Sequence, residues 1–241
     1  MTSAFQMRSG TPVRFSHGVT NVPKDHMFAR MRTTVPTLYH TYFNDFDAFA
    51  SGDWTTTTTG TGATTQPNAD GGAILLTNSA ANGDAIFHQK KGESFLMEQY
   101  RRCFFEANFT VSDATNSAWV MGLQVTDTTP LDVTDGIYFL KSSGSTAISF
   151  ITGKDATTGR LTTSNVATNS AAGTFMKLGF EFDGKQYITI WKDGVEIATA
   201  DLTTSLTFLP DTTLTISFGV QNGAAAAKTM TVDYIYASKE R

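Results

Sequence analysis

The sequence has little of what would indicate a disulfide-bonded, nucleic-acid-binding or membrane protein. Its 241 residues include one cysteine, Cys103, which excludes an intrachain disulfide. Only 17% of the residues are charged, and 18 Lys and Arg against 22 Asp and Glu exclude the basic excess of a nucleic-acid binder. No run approaches the ~18 apolar residues of a membrane helix, and the charged start does not fit a secretion signal. We therefore expect synthesis in a cytoplasm, with neither nucleic acid nor membrane as a partner.

Glutamate is also scarce, whereas threonine is abundant. There are 6 Glu against 40 Thr, while 40% of the residues are hydrophobic and 12% aromatic. Threonine is β-branched and suits a half-exposed pleated surface, and few glutamates leave few good helix formers for exposed positions. This composition predicts a folded all-β protein.

The first forty residues differ from the rest of the chain. They contain half of the six prolines and carry a net charge of +4, whereas residues 41–241 carry −8. They form either a first strand with loops of the same domain or an extended arm that lies on another chain. Apolar and basic anchors favour an arm over residues 1–40. The expected partner-binding residues are Phe5, Arg8, Arg14, Phe15, Met27, Phe28, Arg30, Met31 and Arg32.

Residues 41–241 show the alternation of hydrophobic and polar residues that is typical of strands. Cys103 to Val111 alternates throughout, and residues 175–200 form a meander whose turns are Asp183-Gly184 and Asp193-Gly194. A last period-2 strand is predicted from Met230, Val232, Tyr234 and Tyr236. Ten or more strands with no convincing helix predict a β-sandwich of two antiparallel sheets.

The order of these strands resembles the concanavalin A-like (laminin-G or lectin type) jelly roll. The resemblance rests on Phe104 to Val111 with Met121-Gly122-Leu123, and on Leu178-Gly179-Phe180-x-x-Asp183-Gly184 with its return strand. The ending Val232-Asp233-Tyr234-Ile235-Tyr236 resembles the closing strand of phage-encoded members. The resemblance implies a capsid decoration (cement) protein on the virion exterior. Such a protein would bind the major capsid protein, as a trimer, with its arm over neighbouring subunits.

The same fold also hosts lectins and glucanases. Retaining glucanases of this fold place carboxylates as Glu-x-Asp-x-x-Glu, and Glu181-Phe182-Asp183 is followed by Gln186 instead of a third acid. We therefore expect no catalytic residues and no enzyme. A carbohydrate-binding module on the virion surface or tail is the alternative, because sugar faces stack on aromatic rings. Its candidate rings, which fit core positions equally well, are Trp119, Tyr138, Tyr187 and Trp191.

Metal and thiol chemistry have weak support in the sequence. The acids Asp127, Asp132 and Asp135 surround Pro130 and would suit calcium, but aspartate is also a common turn residue. The four histidines lack the spacing of metal ligands. We expect turns at these acids, no metal and no cofactor, and a buried, unreactive Cys103.

Overall fold

The computed structural model describes residues 26–31, 37–155, 160–204 and 206–241. Two antiparallel sheets pack face to face, which confirms the predicted all-β sandwich. Helical structure among the described residues is limited to short 3-10 segments, at Met27–Arg30, Ser51–Asp53, Pro130–Asp132 and Leu206–Phe208. Within those same ranges no helix is long and apolar enough to cross a membrane.

Sheet I is built around the strand pairs that the meander predicted. From one edge to the other it contains β14 (Val195–Asp201), β13 (Tyr187–Lys192), β12 (Met176–Phe182), β7 (Cys103–Val111), β16 (Thr229–Glu240), β4 (Ile74–Asn78) and β3 (Gly62–Thr65). An additional strand, β1 (Tyr39–Asn44), pairs with β16. The expected boundary between residues 40 and 41 therefore falls inside β1.

Sheet II covers the inner face of sheet I. In order it contains β11 (Arg160–Thr168), β10 (Ala147–Gly153), β9 (Gly136–Lys141), β8 (Ser117–Gln124), β15 (Thr213–Asn222), β5 (Ala85–Lys90) and β2 (Trp54–Thr59). The short β6 (Phe95–Leu96) pairs with the start of β15.

The core lies between the two sheets and is formed by alternate residues of the central strands. Phe105 of β7 stacks on Phe180 of β12, with ring centroids 5.4 Å apart. Phe109 of sheet I meets Trp119 of sheet II edge to face at 5.0 Å. All four side chains are fully buried. Each such burial stabilises the fold by about 1.5–3 kcal/mol before entropy costs, so the two sheets depend on each other.

The last strand departs from the predicted alternation. Val232 and Ile235 are both buried in the core, and the register of β16 against β7 shifts between Val232 and Tyr234. This β-bulge changes the phase of the strand, so Tyr234 lies on the outer face of sheet I and not in the core with Val232. The single period-2 pattern predicted through this strand is therefore wrong.

A short segment of the predicted arm lies on the chain's own sheet I. We call residues 26–31 the strap. Its 3-10 helix begins after His26, whose Nδ1 accepts the N–H of Phe28 at 3.2 Å. Met27 and Met31 are buried against Phe104 and Trp191 on the outer face of sheet I. The other expected arm residues, Phe5, Arg8, Arg14, Phe15 and Arg32, lie outside the described residues.

Candidate functional site

The outer face of sheet II is largely closed by a loop. Tyr138 of β9 and Val120 of β8 point outward and pack with Val133 and Leu131 of the loop over residues 125–135. Tyr138 is 1% exposed, and burial raises the pKa of its hydroxyl to about 12. The outward positions at the centre of this sheet are thus covered, the polar Gln89 and Gln124 included, because both donate to carbonyls of the loop. Beside the loop this face keeps a smaller groove of about 200 Å³.

The outer face of sheet I carries an open groove of about 560 Å³. It lies where β7, β16 and the loop before β4 meet. Its lining comprises Pro67, Ala69, Asp70, Gly72, Ala73, Asn108, Phe175, Thr231 and Asp233. The volume falls in the range of small-molecule pockets, and the mixture of apolar surface with a few polar groups is typical of them.

The polar wall of the groove is positioned by the bulge in β16. Asn108 Nδ2 on β7 donates to Asp233 Oδ2 at 2.8 Å, and one step away Tyr234 OH donates to Glu106 Oε1 at 2.6 Å. Both pairs exist because the bulge presents Asp233 and Tyr234 to the same neighbouring strand. The pKa of the Tyr234 hydroxyl is raised mainly by burial and, as the next largest cause, by the negative charge of the Glu106 carboxylate. Tyr234 therefore stays protonated and holds Glu106 in place.

The apolar wall is formed by Phe175 and by the loop before β4. Phe175 directly precedes β12 and is 46% exposed, which makes its ring available to a ligand. On the opposite side the loop is held by Gln66, whose side chain donates to the carbonyl of Phe46 at 2.9 Å. Gly72 has a φ of +91°, and a Cβ there would lie 2.5 Å from the carbonyl oxygen of Asp45. Glycine is thus required at this position to bring the loop over the sheet.

Beyond the groove, the strap covers the neighbouring part of sheet I. Arg30 donates to Glu181 at 2.9 Å and to Glu196 at 3.0 Å, and its guanidinium lies 5.0 Å from the centre of the Trp191 ring. Arg102 donates to the other Glu181 oxygen at 3.2 Å. Burial raises the pKa of Glu181, while the two guanidinium groups oppose that rise. This cluster attaches the strap to the sheet.

The predicted sugar-stacking rings are mostly inaccessible. Trp119 is fully buried and donates its Nε1–H to Asn169 at 3.1 Å. Tyr138 lies under the loop of sheet II, and Trp191 is 3% exposed beneath Arg30. Trp119 points into the core between the sheets, whereas Tyr138 and Trp191 lie on outer faces that the loop and the strap cover, so none of the three offers a face to a ligand. Only Tyr187 of the four is accessible, at 41% exposure at the start of β13.

The three loop acids considered for calcium do not converge. Asp127 Oδ1 accepts from the backbone N–H of Thr129 at 2.7 Å, which is turn capping as expected. Asp132 pairs with Arg160 at 2.7 Å, and Asp135 faces a different set of acids. The thiol of Cys103 is 1% exposed, and burial raises its pKa to about 12.

The groove residues Asp70, Asn108, Phe175 and Asp233 were not predicted as a site. They come from four separate segments, so no local motif contains them. One signal was readable in the sequence. The aliphatic residues of the last strand are two apart from Met230 to Val232, but the next one, Ile235, follows after three positions. An interval of three in a period-2 strand indicates a bulge, and bulges often direct functional side chains.

Comparison with known proteins supports the fold assignment. No family model and no curated protein matches the chain. Among solved structures, the endo-1,3-β-glucanase from Streptomyces sioyaensis matches with a TM-score of 0.59 and 14% identity over 86% of this chain and 99% of that one. A GH16 protein from the mixed-linkage glucan locus of Bacteroides ovatus, solved with its product, matches with a TM-score of 0.58 and 13% identity over 81% of this chain and 99% of that one. The endo-β-1,4-glucuronan lyase from Trichoderma reesei matches with a TM-score of 0.55 and 13% identity over 81% of this chain and 94% of that one. The chain has the concanavalin A-like jelly-roll fold.

These matches correct one prediction and leave another without support. The expectation of a protein that is not an enzyme is contradicted, because the structures sharing the fold include a glucanase and a lyase over nearly their whole length. None of the three is a capsid protein, so the capsid decoration role gains no support from them. The capsid partner, the trimer and the virion location stay predictions.

Proposed function

We propose that this chain is a carbohydrate-active protein that binds a polysaccharide segment in the groove between Phe175 and Asp233. One observation carries the proposal: an exposed aromatic ring and a hydrogen-bonded amide–carboxylate pair line the same groove. Sugar rings present apolar C–H faces that stack on aromatic side chains, and hydroxyls that bind Asp and Asn. The glycan-binding alternative therefore has better support than the capsid reading.

Cleavage of the bound glycan is part of the proposal. Asp70 and Asp233 both line the groove, and glycoside hydrolysis uses two carboxyl groups that flank the scissile bond. Structures that share this fold include glycan-cleaving enzymes, which supports catalysis without identifying the bond. The two acids are the candidate catalytic residues, one on the strand and one on the facing loop.

Affinity gel electrophoresis against a panel of polysaccharides tests binding, with β-1,3-glucan, mixed-linkage glucan, polyglucuronate, xylan and mannan in the gels. We expect at least one polysaccharide to retard the protein. The Phe175→Ala variant should weaken that retardation about tenfold, because it removes the stacking ring. Tyr187→Ala is the matched control, since it removes an exposed ring outside the groove.

Turnover is measured in the same panel as reducing ends and as the ultraviolet absorbance of unsaturated ends. Asp233→Asn and Asp70→Asn should abolish product formation while the circular dichroism spectrum is unchanged. If no polysaccharide is bound or cleaved, the proposed function is wrong. If Tyr187→Ala abolishes binding and Phe175→Ala does not, the groove is not the binding site.

A further inference from the structure

A second group of acids converges at the end of sheet II. Asp135 directly precedes β9, Asp155 follows β10 and Asp211 precedes β15. Each contributes one carboxylate oxygen to a cluster whose oxygens all lie within 4.8 Å of one another. Three carboxylates from separate segments repel one another at such distances unless positive charge is placed between them.

Asp135 is the buried member of this cluster, and within the described residues its carboxylate receives only one weak hydrogen bond. Its residue is 7% exposed, and its Oδ1 has no hydrogen-bond partner among the described residues. In the part of the chain that the structure describes, its Oδ2 accepts a single long bond of 3.4 Å from the backbone N–H of Asp155. Burying a carboxylate oxygen without a partner is costly, so this atom points to a ligand that supplies positive charge.

Lys154 supplies part of that charge. Its Nζ lies 2.5 Å from Asp211 Oδ2 and 3.9 Å from Asp155 Oδ2. One ammonium group against three carboxylates leaves a local charge of about −2. The lysine side chain is 27% exposed, so it can leave the cluster for solvent without breaking the core.

We propose that Asp135, Asp155 and Asp211 bind a calcium ion, in competition with the Lys154 ammonium group. Calcium takes six to eight oxygen ligands at about 2.3–2.6 Å, so ligand oxygens around one ion lie up to about 5 Å apart. The spacing in the cluster fits that sphere. Water and backbone carbonyls complete the coordination, as is usual for this ion.

The site would stabilise the loop that covers sheet II. The carbonyl oxygen of Asp135 accepts the N–H of Val125 at 3.0 Å, which closes the base of the loop over residues 125–135. Calcium at Asp135 would join that base to the end of β10 and to the segment before β15. Binding is therefore coupled to the stability of the loop over Tyr138.

We test the site with CaCl2 as the probe on the EDTA-treated chain. Isothermal titration calorimetry measures the Kd for calcium, and thermal unfolding measures the change in Tm. We expect a Kd in the range of about 10⁻⁴–10⁻³ M and a Tm rise of about 2–4 °C at saturating calcium. MgCl2 and NaCl at matched ionic strength should give a much smaller rise, since Mg²⁺ demands a tighter octahedron.

Three variants assign the site to these residues. Asp211→Asn should weaken calcium binding about tenfold, because a charged ligand is lost from an exposed position. Lys154→Met should strengthen it about threefold or more, since the competing cation is removed. Asp127→Asn, in the same loop but outside the cluster, is the matched control and should bind like the unmodified chain.

Two results would overturn the proposal. The first is no calcium-specific heat or Tm rise in either the unmodified chain or Lys154→Met. The second is a loss of binding in Asp127→Asn equal to that in Asp211→Asn, which would place the ion elsewhere in the loop.

Discussion

His88 links the two sheets at one edge of the sandwich and offers a test of how that edge is packed. It is 2% exposed on β5, and its ring is bonded through Nδ1 to Thr56 Oγ1 at 3.0 Å and through Nε2 to Thr64 Oγ1 at 2.8 Å. Thr56 belongs to sheet II and Thr64 to sheet I. Three aromatic rings, Phe49, Trp54 and Phe218, surround the imidazole at 5.4 to 6.2 Å.

Burial lowers the pKa of His88 to about 4, from an ordinary value of 6.5. In the unfolded chain the ring takes up a proton near pH 6.5, whereas in the folded chain it does so only near pH 4. Acid therefore favours the unfolded state throughout this interval, and stability falls as the pH is lowered through it. The full effect is about 3 kcal/mol, of which about 2.5 kcal/mol is lost between pH 7.5 and pH 4.5.

Urea unfolding followed by tryptophan fluorescence measures this loss at the two pH values. The unmodified chain and a His88→Asn variant share every other titrating group, so the difference between their pH dependences isolates His88. We expect the variant to lose about 2.5 kcal/mol less than the unmodified chain over this interval. His40→Asn is the control, because His40 is only partly buried and should show a smaller difference. Equal losses in the unmodified chain and His88→Asn would refute the reasoning.

Two further predictions concern the strap and the thiol. Met27 is 1% exposed, and its Cε and Sδ lie against Gly179. Met27→Ala should therefore destabilise the chain by about 2 kcal/mol or make the strap sensitive to protease. An unchanged urea midpoint together with unchanged proteolysis would contradict this prediction. Cys103 is buried in the core. A thiol reagent should therefore modify it only in denaturant. Modification of the native chain at the rate of a free thiol would show that the core around Cys103 is not packed as described.

The outer face of sheet I has two parts with different roles. The strap occupies the part around Trp191 and Glu181, where Arg30 lies over the Trp191 ring and forms an ion pair with Glu181. The groove at Phe175 and Asp233 stays open. A ligand therefore meets the open part without displacing the strap, which is why the proposed binding site lies in the groove.

Much of the fold was predictable because strand periodicity is a local property. Alternating residues in Cys103–Val111 and the turn pairs Asp183-Gly184 and Asp193-Gly194 predicted strands and hairpins that the structure contains. Two packed sheets followed from composition and from the absence of helical periods. The predicted rings at Trp119 and Trp191 show the limit of this reasoning, because alternation indicates which side chains share a face without showing what covers that face.

The sequence by itself determined the class of fold and most of its strands, since hydrophobic alternation and turn chemistry act between residues near each other along the chain. Only the tertiary structure decided which surfaces are open. The strap covers Trp191, a loop covers Tyr138, and the bulge directs Asp233 toward Asn108. Each of these outcomes depends on contacts between segments far apart in the chain, whose free energies no local pattern contains. The groove and the acid cluster are products of that long-range packing.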